Sequence, residues 1–143
     1  MAARVRRRAR IVTRVEIVRL IIDERRDEQA VVLRDAKRRA FPIAIGIFEA
    51  TAIDRILKEK KAERPLTHDL IAGILEALGA RLLRVEIDDL KGDVFYAKLK
   101  LRRADGEEST VDCRPSDAIA IALRDEVPIY VSEDVIARAA RPE

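Results

Sequence analysis

The chain has one cysteine, Cys113, and one histidine, His68, in 143 residues. No intrachain disulfide can form, and every zinc pattern built from several Cys and His ligands is excluded. A metal would have to be held mainly by carboxylates, a donor set that favours Mg or Mn. Tryptophan is absent and aromatic residues make up 3%, so the core must be aliphatic and nucleic acid cannot be bound on a broad stacking platform. The five glycines, Gly46, Gly73, Gly79, Gly92 and Gly106, are scattered, which leaves no phosphate-cradling or dinucleotide loop and removes kinases, NTPases and dehydrogenases. No apolar run reaches transmembrane length, and no apolar signal-like segment follows the N-terminal arginines. The expectation is a cytoplasmic protein without a membrane partner.

What is present is 48% hydrophobic and 38% charged, the balance of one charge-coated domain long enough to bury a core. The net charge of +3 is uneven. Residues 1–41 hold thirteen Lys and Arg against six acids, and the remainder sixteen against twenty. The excess is densest in residues 1–10, with Arg4, Arg6, Arg7, Arg8 and Arg10. Such an arm can neutralise phosphates, and it can equally be a solvated tail. The domain proper is placed at residues 11–141.

Alternation of Val, Ile and Leu with charges predicts a strand over 11–22, then strands over 29–34 and 39–45, with Pro42 pointing to an edge or bulge. From Gly46 the period becomes helical through Ile47, Ala50, Ile53, Ile56 and Leu57. A second helix is predicted from Thr67 as N-cap, lined by Leu70, Ile71, Ile74, Leu75 and Leu78 and stopped at Gly79. Leu83, Val85 and Ile87 are expected on one face of a strand, and Phe95, Ala97, Leu99 and Leu101 on one face of the next. Thr110 to Cys113 closes this second meander, 128–131 forms a short strand, and Ser132 caps a last helix. Runs of strands followed by helices indicate α+β with antiparallel sheet: a single domain of antiparallel strand meanders packed with helices around a buried central helix. That central helix is 114–123 (RPSDAIAIAL), apolar at every position from Ala118 to Leu123.

The chemistry-bearing residues gather at helix starts: Glu49, Arg64, His68, Asp69, Arg114, Ser116 and Asp117, with Asp112 just upstream. Converging carboxylates could hold a divalent cation, His68 could act as general base, and an arginine could grip a phosphate in bidentate fashion. Each residue also has a structural reading. Asp69 and Asp117 suit any helix first turn, the arginines can simply pair with them, and Cys113 suits a core position. Ser109, Ser116 and Ser132 lack a nucleophile-elbow context, so a Ser-His-Asp enzyme is disfavoured.

In order, FPIAIGIFEA (41–50), RPLTHDL (64–70), FYA (95–97), RPSDAIA (114–120) and PIYV (128–131) resemble the motifs of the bifunctional nuclease (DNase/RNase) domain family, over about residues 11–138. Cys113 stands where the family motif usually reads Ala. The resemblance implies a self-associating α+β domain with nuclease activity on DNA and RNA. The leading expectation is a metal-assisted nuclease: His68, Asp69, Asp117 and Glu49 as catalytic candidates, with Asp117, Asp69 and Glu49 as ligands for Mg or Mn. Arg64, Arg114 and Ser116 would bind phosphate. The main rival is a non-catalytic nucleic-acid-binding or assembly module, and a small-anion site at Ser116 and Asp117 ranks last because the carboxylate opposes it.

Overall fold

The structure, a computed structural model, describes residues 11–142; the Arg-rich arm at 1–10 lies outside the described residues. The first meander is β1 (Val12–Asp23), β2 (Glu28–Asp35) and β3 (Arg39–Ile45), followed by α1 (Ile47–Leu57) and α2 (Thr67–Ala77). The second is β4 (Arg81–Lys91), β5 (Val94–Arg102) and β6 (Glu108–Cys113), which runs into α3 (Pro115–Asp125). β7 (Ile129–Ser132), α4 (Glu133–Ala139) and the two-residue β8 (Arg141–Pro142) complete the chain. The α+β class is as expected from the element order.

The two meanders merge into one eight-stranded sheet, in the order β6-β5-β4-β7-β1-β2-β3-β8. β7 is the join. It runs antiparallel to β1, with Val12 opposite Ser132, and parallel to β4, with Val85 opposite Ile129. The sheet is therefore mixed, not wholly antiparallel. α3 supplies the crossover that a parallel neighbour requires, and a four-residue strand carries no alternation from which its partners could be read. The sheet also curls: Phe41 of β3 stacks on Phe95 of β5, ring centroids 5.7 Å apart, although four strands separate them in the order.

Inside the curl lies α3. Pro115, Ser116 and Ala118 to Ala122 are all buried, so the helix that is apolar nearly all round is the centre of the core. Pro115 occupies its first turn, where a missing N–H costs nothing. Ile119 and Ile121, each buried to within 1%, contribute about 1.5–3 kcal/mol apiece against leaving them in water.

Three local expectations need correction. A bulge between Leu82 and Arg84 turns Leu82 into the core at 5% exposure, where unbroken alternation would have placed Leu83. The N-cap of α2 is Leu66, and Thr67 is the first helical residue. Asp69 compensates: its Oδ2 accepts the Leu66 N–H at 2.9 Å, satisfying one donor that the cap side chain cannot. β6 begins at Glu108, two residues before the expected start. Pro42 fits its expected edge position, since β8 pairs only with Arg39 and Ala40. Ser132 caps α4, its Oγ accepting the Val135 N–H at 3.3 Å. Among the described residues no helix is long and apolar enough to cross a membrane.

Candidate active site at the helix starts

α3 packs against α1 and α2, and this brings side chains from three helix starts together. β6 delivers the chain to Arg114, the N-cap of α3, whose extended backbone (φ −71°, ψ 147°) turns into the helix at Pro115. Asp117 follows in the first turn, where the helix dipole favours a carboxylate. Arg114 folds back on it: Nε donates to Asp117 Oδ2 at 2.8 Å and Nη2 to Oδ1 at 3.3 Å. On its other side Arg114 Nη1 pairs with Glu49 Oε1 of α1 at 2.9 Å. From α2, His68 Nε2 lies 3.1 Å from Asp117 Oδ1.

Glu49, Arg114, Asp117 and His68 thus form one network. Burial of Asp117 raises its pKa, but hydrogen bonds from Arg114 and His68 outweigh this and hold it below the usual carboxylate range. An ionised Asp117 can only accept, so His68 must present Nε2–H to it. In neutral imidazole that leaves Nδ1 with the lone pair, the state needed to take a proton. His68 is partly buried, its side chain 13% exposed, whereas Arg114 is 65% exposed.

The remaining candidates are placed differently. Asp69, next to His68 in sequence, turns to Arg124 near the end of α3, with Nε to Oδ1 at 2.7 Å. The Arg124 hydrogen bond and the Leu66 N–H together lower its pKa. Ser116 is buried in the first turn of α3. Arg64 is exposed and has no ion pair among the described residues. Asp112 turns to Lys98 at 2.9 Å on the sheet. Cys113 is half-buried, and burial, with Asp117 and Asp112 nearby, pushes its thiol up to about 12; it is not a nucleophile at neutral pH.

This arrangement does not suit a metal centre made of Asp117, Asp69 and Glu49. The Arg114 guanidinium lies between two of the three carboxylates, and Asp69 is committed to Arg124. Among the described residues no three His, Cys, Asp or Glu side chains are grouped so as to hold an ion.

Two contributors escaped the sequence reading. Arg124 lies in the last turn of α3, where a basic residue is usually assigned to the helix dipole and no more. Gly46, the N-cap of α1, stands three residues before Glu49, a capping-box spacing that could have signalled a side chain folding back.

A family model described as the bifunctional nuclease domain matches residues 31–143. An uncharacterized protein of Mycobacterium tuberculosis is 43% identical over 126 residues, covering 87% of this chain and 74% of its own. Bifunctional nuclease 1 of Oryza sativa subsp. indica is 30% identical over 110 residues, covering 74% of this chain and 33% of its own. Bifunctional nuclease 2 of Oryza sativa subsp. japonica is 31% identical over 114 residues, or 77% and 35%. The chain spans about a third of the length of these plant relatives.

Proposed function

As the chain belongs to the bifunctional nuclease domain family, we propose that it hydrolyses phosphodiester bonds of DNA and RNA, with His68 as general base and Asp117 orienting it. The observation that carries this reading is the 3.1 Å contact between His68 Nε2 and Asp117 Oδ1. A base held in one tautomer by an ionised carboxylate is preorganised for proton transfer, an effect worth about 10²- to 10⁴-fold in rate. His68 takes a proton from water, whose oxygen attacks phosphorus. The bond from phosphorus to the leaving sugar oxygen breaks, solvent water protonates that oxygen, and His68 returns its proton to solvent. Water as nucleophile needs no 2′-hydroxyl, which suits both nucleic acids.

Arg114 is the group assigned to the phosphate. A guanidinium carries five N–H donors, and Asp117 and Glu49 cannot engage all of them. Two carboxylates beside one arginine leave the site without positive excess, so recognition rests on aimed donors and favours the singly charged diester. Arg64, exposed nearby in sequence, is assigned to a neighbouring phosphate along the strand.

The test is hydrolysis of single-stranded and duplex DNA and RNA by wild type, His68→Ala and Asp117→Asn. Both variants are expected to lose about 10²- to 10⁴-fold in kcat with unchanged folding. Activity surviving both substitutions belongs to a contaminant or another site. Assistance by Mg or Mn would need an ion held outside the trio of Asp117, Asp69 and Glu49, and it has its own arm, the same assay with chelator and with added ion. Loss in chelator with recovery on Mg or Mn would support it, and activity indifferent to both would remove the metal from the mechanism.

Self-association completes the proposal. It is supported by the outer face of α2, where Leu66, Leu70, Ile74 and Leu78 recur every four residues and stay exposed, with Phe48 of α1 also exposed at 86%. In a chain so rich in charge, α2 holds no Lys or Arg and leaves open space around Gly73, which suits a second copy of the same helix at close range. Ile74→Arg is expected to convert the oligomer to monomer in sedimentation velocity. An oligomer indifferent to that charge would move the interface elsewhere. Association without any hydrolysis would favour an assembly or nucleic-acid-binding module over a nuclease.

A further inference from the structure

Gly46 has an ordinary backbone for a helix N-cap, φ −79° and ψ 164°. Any residue can adopt it, so the conformation does not demand glycine. What a side chain would meet is Glu49: a β-carbon built at 46 falls well inside contact distance of Glu49 Oε2, and near its Cδ at 3.3 Å. The Glu49 carboxylate is therefore folded back over the start of α1, through space left by the missing β-carbon. It is tucked there with 14% of its side chain exposed, and from that position its Oε1 holds Arg114 Nη1 at 2.9 Å.

We propose that Gly46 and Glu49 act as one positioning device for Arg114. The absent β-carbon at 46 admits the Glu49 carboxylate, and that carboxylate fixes the plane in which the guanidinium meets an anionic oxygen of the ligand. Glu49 is then a positioning residue, in place of the metal ligand its sequence context suggested. The inference rests on the reading that Arg114 receives the phosphate. It adds that the aim of Arg114 is set from α1, by a glycine with no side chain of its own. Asp117 alone grips the guanidinium along one edge. The second grip, from a different helix, prevents rotation about that edge.

The atom in the way is the far end of a flexible side chain, so a methyl at 46 can be accommodated by moving Glu49 and leaving the fold intact. This separates the device from general destabilisation. Gly46→Ala, Glu49→Gln and the double variant would be compared by NMR of the Arg114 Nε–H, and by binding of a short single-stranded oligodeoxynucleotide with phosphorothioate linkages. Gly46→Ser is a fourth variant that adds the same β-carbon with a better capping side chain.

Each single variant is expected to shift the Arg114 signal, speed its exchange with water and weaken binding about tenfold, the scale of one charge-assisted hydrogen bond. The double variant is expected to be no worse than either single one, because both act through the same carboxylate. Losses that multiply in the double variant, or an Arg114 signal unmoved by Gly46→Ala and Gly46→Ser, overturn the proposal. Neither readout requires turnover. A coupled cycle in a protein that never cleaves would sink the nuclease reading alone, and additive losses in an active nuclease would sink only the device.

Discussion

Two clusters share one charge motif, an arginine between two carboxylates, and differ in what they leave open. In the first, Arg39 bridges Asp35 and Glu133: Nε donates to Asp35 Oδ2 at 2.7 Å, and the two terminal nitrogens reach the two Glu133 oxygens at 3.0 Å each. Asp35 Oδ1 also accepts the backbone N–H of Lys37 at 3.0 Å and of Arg39 at 2.9 Å, and Thr13 donates to Glu133. The cluster ties the β2–β3 turn to the start of α4 and to β1. In the second, Arg114 bridges Asp117 and Glu49, but His68 joins and the arginine lies 65% exposed, against 31% for Arg39. One motif is closed, with its acceptors used on backbone and arginine. The other is open, with donors left over and an imidazole, His68, that has a second ring nitrogen beyond its contact with Asp117. Ion pairing alone says nothing about function; what distinguishes the two is whether donors remain for a ligand and whether a proton can move.

The sharpest way to break this comparison is to replace each arginine by methionine. Arg39→Met strands Asp35, whose side chain is 1% exposed. It is expected to cost about 3 kcal/mol of unfolding free energy, a large part of the roughly 5–15 kcal/mol a domain has, while hydrolysis per folded molecule is unchanged. Arg114→Met removes pairs whose arginine is 65% exposed and should cost about 1 kcal/mol, yet lower turnover by about 10²-fold or more through the lost donors at the phosphate. Urea unfolding beside turnover measurements reads both effects. If Arg114→Met unfolds the protein and Arg39→Met silences it, the roles assigned to the two clusters are reversed.

The closed and open clusters were unequally legible in the sequence. The burial of α3 was readable, because an all-round apolar run from Ala118 to Leu123 has only one comfortable place. The helix starts were readable from Pro115, Asp117 and Ser132, since capping chemistry is local. Partners were not. His68 and Asp117 are 49 residues apart, and no periodicity reports on which helix end meets which. Asp69 shows the limit well. It follows His68 directly, and consecutive helical residues point about 100° apart, so grouping the two as ligands of one site ignored that one faces Asp117 and the other Arg124. The arginines were assigned to phosphate by type, with pairing to the nearby aspartates as the alternative; Arg114 does pair with Asp117, and only packing reveals Glu49 as its second partner. The Arg39 cluster drew no attention, because Asp35, Arg39 and Glu133 belong to no recognisable motif and meet only when β7 places α4 beside β3. The β7–β4 pairing was hidden for the same reason: long-range register is set by the curl of the sheet around an aliphatic core, and four residues are too few to announce it.

A smaller effect sharpens the comparison from the acid side. Glu133 is held at about 2, down from an ordinary 4.5, first by the Arg39 hydrogen bonds and then by Thr13. For Asp35, burial pushes upward but the Arg39 and Lys37 hydrogen bonds win, so it too is lowered. A carboxylate whose folded pKa is depressed contributes stability that is complete above its unfolded pKa and lost as pH falls through the folded one. The closed cluster should therefore weaken between about pH 4.5 and about pH 2. Glu133→Gln is expected to cost less than Arg39→Met, about 1 kcal/mol or below at pH 7, because Glu133 is 36% exposed and solvent screens the pair. That gap should close as pH is lowered through the same window, since a protonated Glu133 and a glutamine both lack the charge that Arg39 holds. Urea unfolding of the two proteins at pH 7, 4 and 2 measures it. A gap of constant size at all three values would mean that Glu133 acts through packing or through Thr13 rather than through its charge. The closed cluster would then be held by fit rather than by charge, and ion pairing would be the working feature of the open cluster only.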